Sequence, residues 1–146
     1  MVKTIIVPVD GSEHSRKALE FACDLAPRYH ARLHIVHVPD IGAHGKTLVL
    51  SGVAITIDPS KEELQAAGRL VIESARKLAT DKGCDNVSTE VMAGDAVTSI
   101  LCSVEENDAE MIVMGSRGLS DLKGLLVGSV SHKLNHLARC TCVTVR

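Results

Sequence analysis

The sequence predicts an α/β fold, in which a five-stranded parallel β-sheet carries helices on both faces. Two observations predict this Rossmann-like architecture. Short apolar runs rich in β-branched residues alternate with longer segments whose apolar residues recur at helical spacing. The alternation recurs from one end of the chain to the other, outside residues 39–57, and the length of 146 residues suits a single domain. Consecutive strands joined by helices run parallel, so we expect right-handed crossovers and helices on both faces of the sheet.

The chain is predicted to start with a strand, a helix and a second strand. Residues 3–9, KTIIVPV, and residues 31–38, ARLHIVHV, are runs of the kind found in strands buried on both faces. Ser12 is the expected cap of the helix between them. The apolar face of that helix consists of Ala18, Leu19, Ala22, Leu25 and Ala26.

Residues 39–57 have the weakest periodicity in the sequence. They contain three glycines and two short apolar runs, TLVL and VAITI, and we predict a loop or flexible flap within the single domain. The next helix is predicted to begin in residues 58–63, DPSKEE, with Asp58 as the cap and Pro59 in the first turn. The acidic residues that follow face the positive end of the helix dipole, and the helix ends near Gly83.

Three strands and two helices complete the predicted order. We predict strands at residues 86–92, 109–115 and 140–146, and helices at residues 94–107 and 129–138. In such sheets, ligands bind beyond the carboxyl ends of the strands, at the point where the strand order reverses. The first strand ends in Pro-Val-Asp-Gly and the fourth ends in glycine, so we expect these two ends to border a binding site.

Composition excludes several classes of protein. Hydrophobic residues make up 45% of the chain and the formal net charge is −2, which disfavours a dedicated nucleic-acid binder. The large aromatic residues are Phe21 and Tyr29, too few for a platform that stacks single-stranded nucleic acid. Five cysteines without framework spacing, no segment of signal-peptide shape and no long apolar run predict a soluble cytoplasmic protein with reduced thiols.

A glycine-rich stretch, residues 115–131 (GSRGLSDLKGLLVGSVS), directly follows the fourth predicted strand. Glycine loses more conformational entropy on folding than any other residue, so its concentration here indicates a need for bare backbone. The helix that begins near Ser129 has unpaired N–H groups and a positive dipole end, which together form an anion site. We expect Gly128 to let a phosphate approach the backbone, with Ser129 and Ser131 as hydroxyl donors.

The same stretch offers further groups to a phosphorylated ligand. Gly115 and Gly118 leave room for a sugar or a phosphate against the main chain, and Arg117 and Lys123 add positive charge. The pattern is neither G-x-x-x-x-G-K-[ST] nor G-x-G-x-x-G, so the stretch is not a standard phosphate loop. It reads G-x2-G-x9-G-S, and a plain strand-to-helix loop with an exposed charged turn is the alternative interpretation.

Two pairs of histidines are spaced closely enough in the sequence to be considered as metal ligands. His132 and His136 are four residues apart on a helix, a spacing that can hold zinc, but no third ligand accompanies them. We therefore favour a solvated or partner-facing helix surface. His34 and His37 lie on one strand with side chains on opposite faces, so they cannot easily share a metal.

The sequence resembles the universal stress protein family over nearly its whole length. The resemblance is carried by IIVPVDGSEHSRKALEFA at the front, VMAGDAVTSIL in the middle and MIVMGSRGLSDLKGLLVGSVSHKL near the end. It implies an adenine nucleotide α-hydrolase-like fold with the strand order 3-2-1-4-5. In that family, G-x2-G-x9-G-[ST] marks the members that bind ATP, and this chain matches the motif without a break.

The resemblance also implies which residues contact the nucleotide. Asp10 would lie near the ribose or a metal-bound water, so that Mg²⁺ accompanies ATP, and Val38 would meet the adenine through its backbone. The first strand end would line the nucleoside pocket, the fourth would contact adenine and ribose, and the glycine-serine segment would hold the phosphates. The implied set is Pro8, Val9, Asp10, Val38, Met114, Gly115, Arg117, Gly118, Gly128, Ser129, Val130 and Ser131.

The last predicted strand lies at a sheet edge in the implied order. Similar proteins dimerise through this strand, and uncovered apolar edges invite pairing, so we predict a homodimer or larger oligomer through residues 140–146. Cys140 and Cys142 share one face of the strand. A redox-sensing role is the alternative to packing in the core or interface for this pair.

Three hypotheses for the function remain open at this point. The first is an ATP-binding regulatory module whose 116–127 loop is ordered by ATP and read by a membrane transporter or signalling protein. The second is an enzyme, a slow ATPase or a protein that phosphorylates itself. Asp121 is the loop carboxylate nearest to such a role, but a solvated position is the preferred interpretation. The third, a partner-binding protein without nucleotide, is disfavoured by the intact glycine motif.

Overall fold

The computed structural model describes residues 1–39, 46–50, 53–57, 60–118 and 128–146. The strands are β1 (Thr4–Pro8), β2 (Arg32–His37), β3 (Lys46–Leu50), β4 (Val53–Ile57), β5 (Val87–Val91), β6 (Met111–Gly115) and β7 (Thr141–Val145). The helices are α1 (Glu13–Tyr29), α2 (Lys61–Asp81), α3 (Ala96–Glu106) and α4 (Ser129–Leu137).

Five of the strands form one parallel sheet in the order β5-β2-β1-β6-β7. Counted along this sheet, the order is 3-2-1-4-5, which confirms the predicted fold class and topology. Strand β1 pairs with β2 on one side, Ile5 opposite Leu33, and with β6 on the other, Ile5 opposite Met111. The strand order therefore reverses at β1, and a crevice opens beyond the carboxyl ends of β1 and β6.

Helices cover both faces of this sheet, and each face has its own core. Helices α1 and α2 pack on one face around Ile5, Val7 and Ile35, whereas α3 and α4 pack on the other around Ile6 and Ile112. Because the central strands are buried on both sides, neighbouring residues of β1 are equally apolar, as the continuous run predicted. In the described part of the chain, no helix combines the length and apolarity that crossing a bilayer requires.

Part of the region predicted as a loop, residues 39–57, forms a β-hairpin. Strands β3 and β4 pair antiparallel, with Thr47 opposite Thr56, in a small separate sheet. The runs TLVL and VAITI that interrupt the loop-like composition are the segments that pair, because β-branched residues favour extended backbone. Residues 40–45 and 51–52 lie outside the described part, and the flexibility of this segment stays a prediction.

The start of α2 differs from the predicted one. Ser60 is the N-cap rather than Asp58: its hydroxyl oxygen accepts a hydrogen bond from the Glu63 amide at 3.2 Å. The Glu63 carboxylate in turn accepts from the Ser60 amide at 2.8 Å, which completes a capping box. Asp58 and Pro59 lie outside the described residues. The helix ends at Asp81, and Gly83 follows with a φ of +80°.

The five cysteines are free thiols with different surroundings. Burial raises the pKa of Cys23 to about 12 and that of Cys142 to about 11, and it also raises the pKa of Cys140. A thiol held in its neutral form is a poor nucleophile. The C-x-C of the last strand is therefore better suited to packing than to redox sensing, whereas Cys102 is exposed on α3.

Replacing Ser60 with alanine should lower the free energy of unfolding by about 1 kcal/mol, because the hydroxyl oxygen that accepts from the Glu63 amide is lost. Urea denaturation followed by circular dichroism measures the change. Ser60→Asp is the matched control and should retain most of the stability, since aspartate also accepts from the first turn. A loss in the aspartate variant equal to that in the alanine variant would contradict the assigned cap.

Iodoacetamide at pH 8 should alkylate Cys102 first in the folded protein. Cys142 should react far more slowly, because a thiol with a pKa near 11 is about one part in a thousand thiolate at that pH. Mass spectrometry of tryptic peptides over time gives the order, with protein in urea as the control in which all sites react. Modification of Cys142 as fast as Cys102 would show that β7 is more open than its burial indicates.

Candidate functional site

A cleft of about 910 Å³ opens at the carboxyl ends of β1, β2 and β6. It lies at the point where the strand order reverses, as the topology requires. The first turns of α3 and α4 and one side of α2 complete its walls. All twelve residues predicted for the ligand line this one cleft: Pro8, Val9, Asp10, Val38, Met114, Gly115, Arg117, Gly118, Gly128, Ser129, Val130 and Ser131.

The end of β1 is held in place by a compact turn. The Asp10 carboxylate accepts a hydrogen bond from the Ser12 amide at 2.9 Å, and the Asp10 amide donates to the Ser15 hydroxyl at 3.3 Å. Gly11 adopts a φ of +82° between them, a backbone conformation that other residues rarely tolerate. The turn places the Asp10 carboxylate on the cleft wall next to the start of α1.

Gly115, at the end of β6, is required for packing against α1. A Cβ at this position would lie 2.8 Å from the His14 carbonyl carbon and 2.9 Å from the Ser15 amide nitrogen. We predicted bare backbone here for a sugar or phosphate, but the nearest constraint is the first turn of α1. Gly115 still lines the cleft, so its absent side chain lets α1 approach while the main chain borders the open space.

The start of α4 is tied to the end of β6 by the carbonyl oxygen of Ser116. This oxygen accepts from the Gly128 amide at 2.6 Å and from the Ser131 hydroxyl at 3.1 Å. The Ser131 hydroxyl also lies 3.1 Å from the Gly128 carbonyl oxygen, and the residue is only 4% exposed. Ser131, predicted as a phosphate donor, therefore uses its hydroxyl in the fold in this structure.

The N-terminus of α4 faces the cleft. Its N-cap is Gly128, which has no side chain to cover the first-turn N–H groups. The exposed Ser129 and Val130 follow, and both line the cleft. A helix terminus of this kind presents hydrogen-bond donors and the positive end of the dipole to whatever occupies the space. Lys123 and Asp121, which the sequence also indicated, lie outside the described residues.

Helix α2 forms a wall that the sequence did not predict. Leu64, Ala67, Gly68 and Val71 line the cleft from this helix. Their apolar pattern is the ordinary stripe of a core-facing helix, so periodicity could not distinguish a cleft wall from core. Gly68 was the one available signal, since glycine inside a helix is unfavourable.

The structure explains why a glycine occupies position 68 in the middle of α2. A Cβ there would lie 3.1 Å from a Val91 methyl group and 3.2 Å from the His37 ring. The His37 ring itself is buried and its Nδ1 donates to the Val9 carbonyl oxygen at 2.7 Å. Gly68 therefore lets α2 lie close against the ends of β2 and β5, and His37 ties the end of β1 to β2.

Three further groups reach the cleft without having been predicted. The first turn of α3 contributes Asp95 and Ala96, α1 contributes Ser15, and α4 contributes Lys133. Asp95 is the N-cap of α3, and its pKa is lowered by hydrogen bonds from the Thr98 amide and hydroxyl, at 2.9 and 2.8 Å. Caps and surface lysines are common in any helix, so their sequence positions alone did not indicate a site.

Among the described residues, no group of three or more histidine, cysteine, aspartate or glutamate side chains could hold a metal ion together. His34 and His37 point to opposite faces, as predicted: the His34 ring contacts the Ser88 hydroxyl at 2.7 Å and the Glu90 carboxylate at 3.2 Å. His132 and His136 are exposed, and their ring centroids lie 5.1 Å apart.

Comparison with known proteins places the chain among related folds. The model of the universal stress protein family matches residues 1–146. Universal stress protein YxiE of Bacillus subtilis is 34% identical, and the alignment covers 100% of each chain. A universal stress protein solved in complex with cAMP superposes with a TM-score of 0.72 at 24% identity, covering 99% of this chain and 97% of its own. The universal stress protein of Archaeoglobus fulgidus in complex with dAMP gives 0.66 at 18% identity, covering 100% and 98%.

Proposed function

This chain belongs to the universal stress protein family, and from that premise we propose that it is an ATP-binding regulatory module. One observation carries the proposal. Residues from four separate segments of the chain, each implied by the family resemblance as a nucleotide contact, line a single cleft of about 910 Å³ at the switch point of the sheet. A cavity of this size can take a nucleotide-sized ligand.

The lining divides naturally into an apolar part and a polar part. Val38 and Pro39 at the end of β2 and the α2 wall are aliphatic, and we assign the adenine to this end, where backbone groups of Val38 would read its edge. We assign the ribose to the space between Asp10 and Gly115. The phosphates then point to the first turn of α4, where N–H groups and the helix dipole favour anions.

Two structural neighbours support a nucleotide as the ligand class. One was solved in complex with cAMP and the other in complex with dAMP. Both ligands contain an adenine, a sugar and a phosphate, the three parts for which the cleft offers separate surfaces. ATP rather than a monophosphate is proposed here from the G-x2-G-x9-G-S pattern of residues 115–129, with Mg²⁺ as the companion ion.

Regulation is the role that we propose for the bound nucleotide. The described ends of the motif, residues 115–118 and 128–129, border the cleft, and we propose that an occupied cleft presents a different surface to a partner. A membrane transporter or a signalling protein is the proposed partner class. A slow ATPase or autophosphorylating activity is the second candidate, favoured by two carboxylates, Asp10 and Asp95, that line the same cleft.

Protein purified without added nucleotide should release ATP in near-equimolar amount when it is denatured and analysed by ion exchange beside ATP, ADP and AMP standards. Gly118→Val should abolish this binding, because a branched side chain would fill the space beside the motif backbone. Gly83→Asn, beyond the last residue of α2, is the control, because asparagine tolerates the left-handed backbone found there, and it should still release ATP. Mostly ADP would favour the enzyme, and an empty protein that also ignores added ATP would contradict the proposal.

A homodimer through β7 forms the second part of the proposal. This strand pairs only with β6 among the described strands, so its other edge is open. Thr141 N donates to the Glu110 carbonyl oxygen and the Val145 carbonyl oxygen accepts from Ser116 N, so both residues face β6. The alternation of a strand then places the Thr144 N–H on the open edge.

Thr144→Pro should weaken the dimer by at least about tenfold, because it removes an outward N–H while leaving the bonds to β6 in place. Light scattering coupled to size exclusion over a dilution series measures the change. Thr144→Val keeps the N–H and is the matched control for the hydrogen bond between the Thr144 hydroxyl and the Asn135 side chain. An unchanged dimer in the proline variant would place the interface elsewhere.

A further inference from the structure

Lys133 is a cation that lines the cleft although no motif indicated it. It lies four residues, about one turn, after Ser129 on α4, so both residues share one face of the helix. Side chains of a helix lean toward its N-terminus, so the flexible Lys133 stem directs its ammonium group back over the first turn. The ammonium can therefore reach the space in front of the exposed N–H groups of α4.

Asp95, the N-cap of α3, lines the same cleft. Two hydrogen bonds from Thr98 fix its carboxylate, at 2.9 Å from the amide and 2.8 Å from the hydroxyl. These bonds lower the pKa of Asp95, and the positive charge of Lys133 contributes to the same shift. The two side chains thus line one cleft from different helices, Asp95 at the N-cap of α3 and Lys133 one turn into α4.

Four charged side chains line the described part of the cleft, and their signs balance. Asp10 and Asp95 are anionic, and Arg117 and Lys133 are cationic. The helix dipole and first-turn N–H groups provide roughly half of a positive charge, which suits a single phosphate group. The outer phosphates of a triphosphate carry negative charge that a monophosphate lacks, and Lys133 can neutralise part of it together with Arg117 and the proposed Mg²⁺.

We propose that Lys133 is a specificity-determining residue that favours nucleoside triphosphates over monophosphates at this cleft, and that the Asp95 carboxylate limits this preference by competing for the ammonium group. The inference rests on the proposed function, because it assigns the phosphates to the first turn of α4. Lys133 contacts the outer phosphates, which a monophosphate lacks. Asp95 attracts the same ammonium when no outer phosphate is present.

Calorimetric titration of nucleotide-free protein with ATP and, separately, with AMP tests the inference. In Lys133→Gln, the dissociation constant for ATP should rise about tenfold, while that for AMP should change less than about twofold. Lys133→Arg keeps the charge and should retain the preference for ATP. Asp95→Asn keeps a side chain that can cap α3 and should tighten ATP binding about threefold, with AMP unchanged.

Lys82→Gln is the matched control for loss of one positive charge. Lys82 follows the end of α2, eleven residues beyond Val71, which lines the cleft; this spacing corresponds to about 16 Å along a helix. The Lys82→Gln variant should bind ATP and AMP with unchanged affinity. Equal weakening of ATP and AMP in Lys133→Gln, or no weakening, would overturn the role of Lys133. Wild-type protein that binds neither nucleotide would overturn the proposed function and this inference together.

Discussion

The carbonyl oxygen of Ser116 receives hydrogen bonds from the Gly128 amide and the Ser131 hydroxyl, and this junction decides where α4 begins. The Ser116 amide donates to the Val145 carbonyl oxygen at 2.7 Å, so the same residue also joins β6 to β7. Two points of the chain that are twelve residues apart are thereby held side by side. Without this junction, the first turn of α4 would not face the ends of β1 and β6.

The rest of the cleft depends on helices that lie unusually close to the strand ends. Gly115 lets the first turn of α1 approach β6, and Gly68 lets α2 approach β2 and β5. A methyl group at either position would meet backbone or ring atoms at about 3 Å, and a close-packed interior has little room to yield. Gly68 and Gly115 therefore shape the cleft by letting helices pack closely against the strand ends, and both residues also line the cleft.

The two sides of the cleft have different physical characters. The α2 side and residues Val38 and Pro39 beyond β2 present mainly aliphatic side chains to the cleft. The α3 and α4 side has helix termini, a fixed carboxylate and a flexible ammonium, which respond to charge. We propose that apolar contacts with the first side hold the ligand in place and that the charged groups of the second side discriminate between ligands, so changes in affinity and in selectivity should be separable.

The sequence by itself determined the alternation of strands and helices, the parallel sheet and the strand ends that border the cleft, because buried strands and amphipathic helices have periods that are local properties of the chain. The glycine-rich stretch and the residues flanking it could likewise be identified as a ligand-binding segment, since a pattern spaced over fifteen residues is specific. Strands β3 and β4 were not predicted, because short apolar runs have nearly equal preferences for strand and loop. The cap of α2 was predicted at Asp58 and lies at Ser60, because both residue types are good caps. Only the tertiary structure decided that Ser131 turns its hydroxyl to the backbone, that Gly115 makes room for α1, and that Leu64, Asp95 and Lys133 share a cleft. Those outcomes depend on contacts between residues far apart in sequence, and local patterns carry no information about them.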